Sequence, residues 1–321
     1  MKQNHPCEAA CPEQFKTLIG GQALIEGIMM QGPDKRAIVV RGPEGLVRKV
    51  EPIPARSGLA KAPFIRGVIN FGSSMAHGVK ALMYSADFFP EEADAEPSKF
   101  DKWLEEKIGS EKMENFILAL SVVLGVAFSV TLFFLLPTLI GSLFDRWIGS
   151  AVVRSLIEGL IRVAIFLGYM ILISRMKDMR RVFSYHGAEH KTIRCYEARL
   201  PLTVENARTM TRLHPRCGTS FLFVVVMISI LCFALVSAVF PTKNVLLRLV
   251  IRLALLPVVV SISYECNRFV GRHDNWFTRV LSAPGMWFQN FTTNEPDDSM
   301  LEVAIEALTL VLPEQEGADR W

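Results

Sequence analysis

The sequence predicts an α-helical integral membrane protein, α+β overall, with about four transmembrane helices and a small cytosolic β-rich N-terminal region. Three observations predict it. Half of the 321 residues are apolar, only 21% are charged, and the mean hydropathy is positive, a balance too apolar for an ordinary soluble domain. Four apolar stretches are long enough to cross about 30 Å of hydrocarbon, which takes roughly 20 helical residues. From Leu18 onward, short β-branched and aliphatic runs alternate with Gly-Pro and Gly-Gln turns. The net charge of +3, with no basic stripe interleaved with aromatics, gives no reason to expect a nucleic-acid partner.

In chain order, residues 1–17 read as a disordered, solvated tail. The first 19 residues contain no apolar core of the kind a secretory signal needs, so the chain is expected to begin in the cytosol. Residues 18–62 form the β-rich region, "LIGGQALIEGIMMQGPDKRAIVVRGPEGLVRKVEPIP" supplying three or four strands. Residues 63–115 hold a helix whose apolar side chains suit packing on the bilayer surface, then the polar linker "PEEADAEPSKF". The membrane domain spans 116–270. Its segments 116–141 and 221–240 carry no charge, whereas those near 151–174 and 245–264 carry ionisable residues. Residues 271–321 form a juxtamembrane tail with a short amphipathic helix, predicted to be capped by a Ser299–Glu302 box with Leu301, Ile305 and Leu308 on one face.

Orientation follows from where Lys and Arg collect. Ten lie between residues 175 and 217, whereas the other two connections hold one each, Arg146 and Lys243. The loop 175–220 and both termini are therefore expected on the cytosolic side.

That loop contains "SYHGAEHKTIRCYE". A His-x-x-x-His spacing puts His186 and His190 one helical turn apart on one face, a geometry suited to two ligands of one ion, and Glu189 beside them can act as base on a metal-bound water. The order His-x-x-Glu-His is the inverted zincin pattern. The alternative is a basic juxtamembrane helix with its histidines at the headgroups. A zinc site needs a third protein ligand and, for catalysis, an open fourth position. His214 ranks first as that ligand, Glu265 second and Cys217 third. His214 and Cys217 share the turn "HPRCGTSF", whereas Glu265, at a span end, has an ion pair with Arg268 as its competing explanation.

Other polar features are weaker. Glu26 is expected at a strand edge, with a carboxylate turned toward the site as the alternative. His5, Cys7 and Cys11 fall in the tail, and the six scattered cysteines suggest no disulfide framework, leaving Cys195 and Cys217 reduced. Inside the membrane, Arg154, Glu158 and Arg162 recur every four residues, as do Arg248 and Arg252. These stripes cannot face lipid cheaply and must meet each other or water, either as pairs locking the bundle or as an anion-holding cavity.

"GGQALIEGIMMQGP", "YHGAEHK", "HPRCGTSF" and "TTNEPDDSMLEVAI" together resemble the YqhQ family of bacterial membrane proteins, nearly the whole chain from Leu18 being covered. Gln31 stands where that family leads one to expect a basic residue. The resemblance implies a multi-pass protein of the bacterial cytoplasmic membrane and carries a label of metal-dependent enzyme without an established reaction. The expectation is a hydrolase using zinc or another divalent transition metal at the cytosolic face, with His186, His190 and His214 as ligands and Glu189 as general base. Its substrate would be a membrane peptide or a lipid-linked molecule, with the lipid bilayer and membrane proteins as partners. A non-catalytic assembly, lipid-handling or transport factor with a structural His cluster is the alternative.

Overall fold

A computed structural model of the chain describes residues 15–54, 58, 62–89, 110–144, 146–273, 275–315 and 317–320; the side chains of 110–115 and 118 lie outside the description. His5, Cys7, Cys11 and the linker 90–100 are outside the described residues. The described residues form two compact units. One gathers the chain up to Phe89 with Met170–Val225 and Val260 onward; the other gathers Pro90–Tyr169 and Val226–Val259.

The first unit is built on a four-stranded antiparallel meander, β1 (Gly20–Leu24), β2 (Gly27–Gln31), β3 (Lys35–Gly42) and β4 (Gly45–Pro52), in the order β1-β2-β3-β4. Leu24 pairs with Gly27, so Ile25 and Glu26 form a two-residue hairpin loop, and Glu26 takes the positive φ of 49° that such loops require. Glu26 is thus a turn residue, not a strand-edge one. The unbroken apolar runs "IMM" and "AIVV" are explained by burial on both faces of the sheet. Ile28, Met30, Ala37 and Val39 pack on one side, while Leu24, Met29, Ile38 and Val40 pack with Ala81 on the other.

Helix α1 (Ile65–Ala86) supplies Ala81. It buries its small residues Gly67, Gly78, Ala81 and Ser85, and leaves Phe64, Ile65, Val68 and Met75 exposed. A Cβ on Gly67 would meet Tyr264 and Ser261 at 3.0–3.1 Å, so the glycine sets the approach of α1 to the segment 261–264.

The second unit begins with α2 (Ser110–Val130), a π-helical turn (Thr131–Leu135) and α3 (Leu136–Ser142). In chain order there follow α4 (Ala151–Ser174), most of it in the second unit, α5 (Lys177–Glu197) and α6 (Val204–Thr209), both in the first unit, and α7 (Gly218–Val239) and α8 (Val245–Arg272), each divided between the two. Among the described residues, four helical stretches, Ala119–Ser142, α4, α7 and α8, are long and apolar enough to cross a membrane. The chain closes with α9 (Trp276–Thr292), which the sequence reading did not separate from the tail, and α10 (Asp298–Val311).

The capping box expected at Ser299–Glu302 is corrected. Asp297 is the N-cap and accepts from the Met300 N–H at 3.0 Å, Ser299 donates to that same Asp297 carboxylate, and Glu302 pairs with Arg41 instead. Leu301 and Leu308 are buried as expected, but Met300, Val303, Ala304, Ala307 and Val311 are buried too. α10 is therefore a core helix, packed with α5 over one face of the sheet.

Candidate metal centre

Helix α5 carries the histidines, and from Tyr185 to Ile193 every residue is buried. The rings of His186 and His190 lie 4.4 Å apart, the consequence of their four-residue spacing. Each is oriented from behind by a backbone carbonyl. His186 Nδ1 donates to Thr292 O at 2.7 Å and His190 Nδ1 to Arg212 O at 2.6 Å. A carbonyl only accepts, so both Nδ1 atoms carry a proton and each Nε2 is the nitrogen turned toward the cluster. Cys217, the last residue before α7, places Sγ 3.1 Å from His186 Nε2. One donor atom from each of His186, His190 and Cys217 lies within 4.8 Å of the others, and all three residues are buried.

Glu189 is held from above by the sheet: its Oε1 accepts the Gly21 N–H of β1 at 2.9 Å. Glu189 Oε2 and His190 Nε2 are buried and lack a hydrogen-bond partner among the described residues. Such orphaned polar atoms are costly unless something absent from the polypeptide satisfies them. Electrostatics agree. Burial disfavours the thiolate, yet the imidazoles of His186 and His190 bring Cys217 well below the ordinary thiol value. Burial likewise opposes a charged His186, but the adjoining sulfur outweighs it and holds the imidazole at about 9. Burial pushes the Glu189 carboxyl up, against the pull of the two histidines. A cavity of about 230 Å³ opens onto the cluster, walled by β1, by Ser74 of α1 and by Glu189, His190, His214 and Cys217.

Among the third-ligand candidates, Cys217 is the one that comes to ligand distance. The His214 ring lies tilted, 5.6 Å from that of His190, but its Nε2 donates to Glu197 at 3.3 Å, and burial drives its pKa down to about 4 against the opposing pull of Glu197. Its backbone is gripped by Gln289, fully buried in α9, which accepts from His214 N–H at 2.8 Å and donates to His214 O at 2.6 Å. Glu265 is outside the cluster: it is paired with Arg66 through two oxygens, not with Arg268. Glu26 reaches α5 from the hairpin turn, paired with Arg181 and accepting from Tyr185 Oη at 3.2 Å. Gly187 lets residues 293–296 cross α5, since a Cβ there would run into the Asn294 carbonyl. Gly21, Thr292, Arg212 and Gln289 were all missed as site residues. "TTNEP" stands in the blocks that carry the family resemblance; nothing local marks Gln289.

In the second unit the charged stripes meet each other. Glu158, fully buried, takes Arg248 at 2.5 Å on one oxygen and Arg252 on the other, and Arg252 also donates to Thr138. Arg162 donates to Phe133 O at 2.8 Å, a carbonyl of the π-helical turn, and packs over Phe134 and Phe233. Arg154 is also buried and lines, with Arg248, a cavity of about 20 Å³. That is room for about one water, not a headgroup.

Taken as a class, this is a mostly helical protein with four membrane-length apolar helices and a compact α+β unit that carries a buried His–His–Cys cluster with a carboxylate beside it. The chain belongs to the family described as protein of unknown function DUF1385, whose model matches residues 62–314. It is 36% identical over 302 residues to the uncharacterized protein YqhQ of Bacillus subtilis (strain 168), covering 91% of this chain and 92% of that one. No solved structure matches it.

Proposed function

We propose that the chain is a metal-dependent hydrolase working at the cytosolic face of the bacterial membrane. The observation that carries this reading is the convergence of two imidazole nitrogens and one sulfur, each imidazole fixed by a carbonyl on its far nitrogen. That far-side bond is the usual support of a metal-ligating histidine. Two imidazoles and a thiolate suit zinc, and three protein ligands with an open position are the pattern of catalytic sites. When bound, the ion would make a water nucleophilic at neutral pH. Glu189 Oε2, buried beside the cluster, would serve as the general base toward a water attacking the substrate's carbonyl carbon and would pass the proton to the leaving group as the old bond breaks. The Gly21 N–H holds the carboxylate in place meanwhile. The lysines and arginines between 175 and 217 favour the cytosolic side for the site.

Elemental analysis of the detergent-purified protein tests the site: about one zinc or similar ion per chain is expected, as one three-ligand site would hold. The His186→Ala, His190→Ala double variant should lose it, and stoichiometric metal surviving there refutes the site. Glu189→Gln should keep metal and fold yet fail in a complementation assay; full complementation refutes hydrolysis in favour of a non-catalytic assembly, lipid-handling or transport factor. A second reading rests on the 3.1 Å His186–Cys217 contact, which is also the spacing of a base and its nucleophile. It predicts metal-free wild-type protein whose Cys217 alkylates faster than Cys195.

A further inference from the structure

We infer that the cavity beside the cluster receives an extended peptide segment as a strand added to the edge of β1, which makes the substrate a polypeptide. This rests on the hydrolase reading above and names its substrate class. β1 is an edge strand, paired only with β2 within the sheet. The two-residue hairpin fixes which main-chain groups face β2 and turns those of Ile19 and Gly21 the other way. The Gly21 N–H shows that direction, since it donates outward to Glu189, and both residues wall the cavity. Both outward N–H groups are already used, Ile19 by Thr17 Oγ1 at 3.1 Å and Gly21 by Glu189 at 2.9 Å, so an incoming strand pairs by donating its own N–H groups to the Ile19 and Gly21 carbonyls, which brings its carbonyls alongside Glu189 and the open position of the cluster.

The two glycines of β1 have different explanations. Gly21 is required by the protein itself: a Cβ would meet Met29 O at 2.7 Å, Met30 Sδ at 2.9 Å and Glu189 Cδ at 3.0 Å. Gly20 is not, because a Cβ there meets nothing within 4 Å, and a glycine inside a strand weakens it. Leaving that position bare serves the close approach of another backbone. The lining adds Gln22, Gln31 and Ser74, which offer hydrogen bonds rather than an acyl-chain slot. At about 230 Å³ the cavity is below the roughly 300–1,000 Å³ of pockets for whole drug-sized ligands, which suits a short stretch of a longer extended chain.

The test uses the full chain in detergent, loaded with zinc and presented with a pool of randomised decapeptides. Peptides should bind, and N-methylation along a selected peptide should weaken binding at alternate positions, the two-residue period of a strand edge. Gly20→Val, at wild-type zinc content and melting temperature, should weaken the same peptide by about tenfold or more, the scale of losing main-chain hydrogen bonds. Zinc held with no peptide bound, N-methylation without a two-residue period, or wild-type affinity in Gly20→Val overturns the strand-addition inference while the metal reading stands. Wild-type protein that holds no zinc overturns the metal reading, and with it this one.

Discussion

Gly21 and Glu189 stand 168 positions apart, yet the absence of a side chain at one sets the position of the carboxylate at the other. Gly21→Ala should destabilise the protein by roughly 1–3 kcal/mol, the cost of overpacking, because Met29 O is backbone and cannot move aside cheaply. Gly20→Ala, one residue earlier and facing open space, should stay within about 0.5 kcal/mol. Thermal unfolding of the two detergent-purified variants decides it, and equal melting temperatures would contradict the packing described here. His186, Glu189 and His190 are legible in the sequence because a helix turns spacing into a shared face within one turn. His214 and Cys217 sit in one short turn, so sequence spacing suits both, and only the path of that turn, gripped by Gln289 and Glu197, decides which side chain faces the imidazoles.

Between helices, the same limits of local reading recur. The four-residue recurrence of Arg154, Glu158 and Arg162 shows a charged face on α4, but not that one carboxylate serves two arginines of α8. Glu158 is fully buried and packed against Gly141, where a Cβ would collide with it. Removing one partner of a buried ion pair leaves the others uncompensated at a cost of about 3–5 kcal/mol. Glu158→Ala should lower the melting temperature in detergent sharply, whereas Leu160→Ala, on an exposed face at 67%, should leave it nearly unchanged. Similar losses in both would mean that Glu158 holds nothing together. Helix α1 reads as amphipathic from its large apolar residues, but packing uses the opposite criterion: glycine, alanine and serine go inward because they permit close approach, and the bulky side chains stay outside.

At the scale of the whole molecule, exposed Leu231, Leu235, Val250 and Leu172 on membrane-length helices form apolar surface of a kind water does not favour. The charge bias then sets the proposed sidedness, with both termini and the α5–α6 segment cytosolic. In a background with the native cysteines replaced, a cysteine at exposed Glu205 should react with an impermeant maleimide only after permeabilisation, and one at exposed Lys243 should react in intact cells. Labelling of both from one side would rule out the four-span arrangement. The four membrane-length apolar helices, the strand-rich N-terminal region and the histidine pair were determined by the sequence alone, because hydropathy over twenty residues, alternation over five and a four-residue helical repeat are local properties of the chain. Tertiary structure alone decided that Cys217 joins the histidines, that Glu265 goes to Arg66, that Gly21 and Thr292 complete the site, and that α10 lies in the core. Each of those contacts joins segments tens to hundreds of residues apart, and which of several chemically suitable partners meets a given side chain depends on the route the backbone takes between them.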